Sequence, residues 1–208
     1  MASTIEIMTT YEYKDIATIA ISLAKVMKQV KSRGQKAAAG SLYQTLYNLL
    51  LGGASSKRKH FIFSEIAMHA IPNLSKFEAR HLSNLIYAFS LAEVAPKVED
   101  GRTFFDVVAL EAMSKLQHFN SQDLSNMLWA YAKMGSSNIV LFKATGDLIV
   151  GMKDLSTFLP QHLSNIIWAC ATADESHQRL FLKLSNHIVA MKDLGQFKPQ
   201  ELSNIAWA

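Results

Sequence analysis

Apolar residues recur along this chain at intervals of three and four, the spacing of one face of a helix. The pattern is plainest in "FLPQHLSNIIWACAT" (158 to 172), where Leu163, Ile166, Ile167 and Cys170 fall on a single stripe. Three stretches nearly repeat it: "FEARHLSNLIYAFSL" from Phe77, "FNSQDLSNMLWAYAK" from Phe119 and "FKPQELSNIAWA" from Phe197. Each predicts a helix, and in two copies Pro160 and Pro199 stand where proline suits the first turn. A second helix is predicted after each, running from a Leu-Phe pair to Met-Lys-Asp-Leu, with Phe142, Leu148, Ile149 and Met152 at helical spacing in one copy.

The motif leucines Leu82, Leu124, Leu163 and Leu202 recur at a nearly constant interval, and the stretches 141–165 and 180–204 pair without a gap. A degenerate copy precedes them around Leu42, one such interval before Leu82. A two-helix period of this length predicts an all-α fold, an α-solenoid of stacked two-helix repeats of about 39 residues, since no single hairpin buries its apolar face without neighbours. Residues 41–208 divide into units 41–76, 77–118, 119–157 and 158–196 and an incomplete unit 197–208. Residues 1–40 hold a basic linker and one amphipathic helix, either a cap or the second helix of an eroded unit. Because the sequence stops inside a first helix with Trp207 apolar, a longer parent protein is expected.

With the motif leucine as position 0, positions 0, 3, 4 and 7 form the apolar stripe, which makes Cys170 a core residue. The far side is expected at positions −1, 2 and 6. Position 2 is always asparagine (Asn84, Asn126, Asn165, Asn204), position 6 always alanine, and position −1 varies: His81, Asp123, His162, Glu201. A fixed amide beside a small and a changeable residue suits a reader of one base per unit. By chemistry alone the same asparagines, and more so Ser83, Ser125, Ser164 and Ser203 at position 1, suit a hydrogen-bond ladder between neighbouring first helices better than base contact. The rings at position 5 (Tyr87, Trp129, Trp168, Trp207) fit packing between units better than stacking on bases.

Half of the 208 residues are hydrophobic and 18% charged, the composition of a packed protein, and the apolar runs are too short to span a bilayer. Cys170 is the one cysteine, which excludes an internal disulfide or a cysteine zinc site. No phosphate loop, dinucleotide fingerprint, nucleophile elbow or His-Glu-x-x-His is present, so no catalysis, metal or cofactor is expected of these residues. The net charge of +4 is uneven: residues 1–60 carry nine Lys and Arg against three acids, and residues 61–208 twelve against fourteen. A polyanion contact would therefore draw on Lys28, Lys31, Arg33, Lys36, Lys57, Arg58 and Lys59.

The unit "FxPQxLSNxxWAxA", followed by a second helix ending in Met-Lys-Asp-Leu, resembles the octotricopeptide repeat and the related heptatricopeptide repeat of RAP-domain proteins over residues 40 to 208. The first helices at Leu42 and Phe77 lack its Pro-Gln and tryptophan. The resemblance implies an α-solenoid that binds single-stranded RNA sequence-selectively along its first helices, in a mitochondrion or chloroplast, and acts in transcript processing, stability, translation or ribosome assembly. It implies partners among organellar transcripts, ribosomal RNA and proteins of a ribonucleoprotein assembly, with neither DNA nor a membrane among them. A catalytic C-terminal domain of the RAP type would lie outside these residues. The competing expectation is a protein-binding scaffold of armadillo or HEAT type, favoured by the slightly acidic repeats.

Overall fold

A computed structural model describes residues 13–33, 56–98, 100–136, 138–174 and 177–208. Among them it is all-α, with nine helices: α1 Tyr13–Arg33, α2 Ser56–Ala70, α3 Ala79–Ala92, α4 Phe104–Ser114, α5 Ser121–Lys133, α6 Ile139–Gly151, α7 Pro160–Thr172, α8 Gln178–Ala190 and α9 Pro199–Trp207. Helices α3, α5, α7 and α9 are the four motif helices, and each neighbour-on-neighbour contact is helix against helix, the packing of a helical repeat fold. The degenerate first helix around Leu42 lies outside the described residues.

The motif helices begin alike. Their N-caps Glu78, Asn120, Leu159 and Lys198 are extended, with ψ of 163°, 176°, 158° and 155°. In α5, α7 and α9 the side chain three residues on, at position −1, folds back to accept the N-cap amide. Glu201 Oε2 takes the Lys198 N–H at 2.8 Å, Asp123 Oδ2 that of Asn120 and His162 Nδ1 that of Leu159, both at 3.3 Å. In α5 the bond is reciprocal, since Asn120 Oδ1 also accepts from the Asp123 N–H at 2.9 Å, which completes a capping box. The ends of three motif helices repeat too: position 11 is left-handed in each, at Glu93 (φ 56°), Gly135 (φ 61°) and Asp174 (φ 56°).

The second helices depart from expectation at their C-terminal ends. Helix α6 starts at Ile139, capped by Asn138 Oδ1 on the Leu141 N–H at 3.0 Å, and stops at Gly151; Met152 is extended (φ −66°, ψ 140°). Met-Lys-Asp-Leu is thus a connecting segment, not helix, held down by the buried Leu155 and Phe158. Helix α8 behaves in the same way, with Met191 extended after Ala190. Lys183 of α8 donates to the Val150 and Met152 carbonyls, satisfying acceptors left open where α6 ends.

The described residues fall into two compact units, one ending at Val108 and the other spanning Ala109–Ala208. In the first, α1 lies along α3, with Ile16, Ala17, Ala20 and Ala24 buried. It therefore packs on a first helix, and small residues on its inner face allow a close approach. The aromatic core has Phe89 against Phe63 edge-on at 5.0 Å and against Phe104 at 4.6 Å. In the second unit α7 lies between α5 and α9, and α8 packs on α6. There Leu124, Met127, Leu128 and Tyr131 of α5 are buried, as are Leu163, Ile166, Ile167 and Cys170 of α7, the predicted stripe in each.

Candidate functional site

A first helix inside a stack has three occupied sides: the apolar stripe, and two flanks against the helices before and after it. Each residue turns an α-helix by about 100°, so positions 0, 3, 4 and 7 share one side and positions −2, 2, 5 and 9 lie on the side opposite. Position 1 falls on one flank, and positions −1 and 6 on the other.

Burial follows that division. Position 1 is fully buried at Ser83, Ser125 and Ser164, and position 6 at Ala88, Ala130 and Ala169. Position −1 is buried at His81, Asp123, His162 and Glu201. The outward side expected at positions −1, 2 and 6 is therefore rotated: positions −1 and 6 belong to a packed flank, and only position 2 reaches the open side. Asn84, Asn126, Asn165 and Asn204 are each half-buried. The amide of Asn165 donates to Ser125 Oγ across α7 and α5 at 3.4 Å, a long bond and one rung of the ladder.

On α5 the open positions hold Gln122, Asn126, Trp129 and Lys133, and on α7 Gln161, Asn165, Trp168 and Thr172. The glutamines and Thr172 are exposed and the other five are half-buried. Helix α9 continues the register with Gln200, Asn204 and Trp207, the last 65% exposed. The Trp129 and Trp168 rings stand 6.3 Å apart at 36°, so position 5 both packs between units and shows ring surface outward. Lys133 Nζ sits 5.2 Å from the centre of the Trp129 ring, a cation over a π face. In the other unit α3 presents Arg80, Asn84 and Tyr87 at the same positions. Burial of the Tyr87 phenol pushes its pKa above the ordinary value.

Sequence periodicity did not single out position −2, although Gln122, Gln161 and Gln200 recur there as strictly as tryptophan does at position 5. The signal was present; the apolar stripe alone does not say which polar positions the neighbouring helices cover.

Three of the four position −1 residues are chemically committed to N-cap amides. Neutral His162 uses Nδ1 as an acceptor, and burial lowers its pKa because imidazolium is poorly solvated there. Glu201 and Asp123 spend carboxylate oxygens on N-cap amides at helix N-termini, where negative charge is favoured.

Of the basic residues, Lys28 on α1 and Lys57 on α2 are exposed and Lys59 is half-buried. Lys36 lies outside the described residues, and so do the side chains of Lys31, Arg33 and Arg58. Residues 109–208 carry eight Lys and Arg against eight Asp and Glu. The open stripe of α5, α7 and α9 thus sits in a unit without excess charge, and its chemistry is amide and aromatic. Among the described residues no cluster of His, Cys, Asp and Glu could hold a metal ion, and no helix is long and apolar enough to cross a membrane. Compared with protein-family models and with curated proteins, the chain matches none.

Proposed function

We propose that the chain binds single-stranded RNA through the open stripe of its first helices, as part of an organellar protein acting in RNA processing, stability, translation or ribosome assembly. One observation carries the reading: α5, α7 and α9 turn the same trio of glutamine, asparagine and tryptophan outward at positions −2, 2 and 5. Unpaired bases offer two things to a protein, a π face and a hydrogen-bonding edge. The ring at position 5 meets the first and the amides meet the second. The solenoid architecture and the organelle come from the sequence resemblance.

Charge shapes the expected binding. Lys133 is the basic residue on the stripe of α5, and α7 and α9 add none at these positions. Affinity should therefore come mainly from stacking and edge contacts, with a shallow salt dependence: each phosphate neutralised on a single strand contributes a slope of about −0.7 in log K against log salt. Lys28, Lys57 and Lys59 would steepen it where RNA extends to them.

The neutral charge of residues 109–208 also supports a second reading, in which the stripe holds an extended polypeptide, asparagine pairing with its backbone and tryptophan covering its side chains. Selection from a random single-stranded RNA pool separates the two. An enriched motif, bound about 5- to 150-fold more weakly after Trp168→Ala, supports RNA. No enrichment, with RNA retained equally by the Trp168→Ala protein, refutes it and leaves the polypeptide.

A further inference from the structure

We infer that position −2 is the residue by which each unit selects its base, the asparagine at position 2 being its positioning residue; this rests on the RNA reading above. The neighbouring polar positions are mostly committed in α5 and α7. Position −1 is spent on the N-cap amide in Asp123, His162 and Glu201, and position 1 is buried serine in α3, α5 and α7. At position 2, Asn165 gives its N–H to Ser125 Oγ. Asn204 accepts at Oδ1 from Gln200 Nε2 at 2.9 Å, one turn away on the same helix.

Taken together these two bonds describe a relay. Asn165 supplies the first half, donating to the serine of the preceding first helix, and Asn204 the second, accepting from the glutamine of its own. A unit making both bonds would engage both ends of the asparagine amide and leave the exposed glutamine with Oε1 and one N–H to offer. That end is one acceptor beside one donor, held in orientation at Gln200 by Asn204. It pairs in plane with a base edge that sets one donor next to one acceptor, as every base does on its Watson–Crick edge and adenine alone does at N6–H and N7. The aromatic ring at position 5, on the same open side, supplies the stacking that brings a base edge within reach.

On α3 the same register position is Arg80, which is exposed. A guanidinium offers two parallel donors and no acceptor, the complement of guanine O6 and N7. The unit of α3 should therefore favour a base with two adjacent acceptors, guanine at O6 and N7 or cytosine at N3 and O2, where those of α5, α7 and α9 do not.

Selection from random single-stranded RNA, run in parallel on the unaltered chain, Gln161→Glu and Arg80→Gln, tests the assignment. Glutamate presents two acceptors, which only guanine meets with two adjacent donors, N1–H and N2–H. Gln161→Glu should change one position of the enriched motif to guanine, with a preference switched by roughly tenfold or more, and Arg80→Gln should relax a preference for guanine or cytosine at another. Both side chains are exposed, so melting temperatures should hold. If both variants enrich the unaltered motif with unaltered affinity, position −2 does not select bases and the inference fails while RNA binding stands. If the unaltered chain enriches nothing, the RNA reading fails and takes this inference with it.

Discussion

Replacing Ala169 by leucine tests directly how the repeated alanine is used. Ala169 lies one turn beyond Asn165, the residue that bonds to Ser125 of α5, and its side chain is fully buried, as are those of Ala88 and Ala130. Leucine adds three carbons. Were there room for them against apolar surface, burial would contribute about 0.8 kcal/mol per carbon in favour of the fold. Helices lying flank to flank on alanine and serine have no such room, so the side chain forces off-rotamer packing or displaces α7 from its neighbour. Overpacking of this kind costs about 1 to 3 kcal/mol. For a unit of this size each kcal/mol is worth roughly 4–8 °C in melting temperature. Thermal unfolding followed by far-ultraviolet circular dichroism should therefore show a fall of at least about 4 °C. Ala190→Leu, at an exposed alanine at the end of α8, serves as the control and should stay within about 0.5 kcal/mol of the parent. An unchanged midpoint for Ala169→Leu, with RNA or peptide binding lost, would mean that the alanine faces a ligand groove, and the packed-flank geometry would be refuted.

Two further outcomes concern the ends of α7. Burial holds the His162 pKa below its ordinary 6.5, and its neutral Nδ1 accepts the Leu159 N–H, so the unfolded chain takes up a proton that the folded one resists. Its contribution to stability is then complete above about pH 6.5 and is lost as pH falls through the lower folded value. His162→Gln, which keeps an acceptor and cannot titrate, should flatten the drop in urea midpoint between neutral and mildly acidic pH; an identical drop in both proteins would remove His162 as its source. At the C-terminal end, Asp174 sits at φ 56°, a conformation glycine adopts without penalty and Gly135 already provides after α5. Asp174→Gly should raise stability by about 0.5–1 kcal/mol in urea titration, and a loss of stability would show that the aspartate side chain supports the turn.

Much of the fold could be read in the residues because a helix records itself locally. The helical period, Pro160 and Pro199 in their first turns and the regular spacing of the motif leucines are all patterns along the chain, and the apolar stripe through Leu163, Ile166, Ile167 and Cys170 is buried as that periodicity requires. The ends of the second helices were less legible. Met-Lys-Asp-Leu carries helical propensity, yet α6 stops before it because Leu155 and Phe158 are buried further on and because Lys183, 31 residues from Met152, caps the carbonyl that frees itself. No local pattern contains that partner.

The candidate site shows the same division more sharply. Residue type marked asparagine, serine, alanine and tryptophan as significant, since each recurs at a fixed register. Which of them meets solvent depends on where the adjacent first helices lie, and that is a property of the stack. Serine and alanine close the two flanks, Asp123, His162 and Glu201 turn back onto their own N-caps, and in those helices glutamine at position −2 is left beside asparagine and tryptophan on the open side. A single helix's periodicity separates an inside from an outside; the tertiary structure decides how much of that outside is taken by neighbours, because burial is a property of pairs of surfaces.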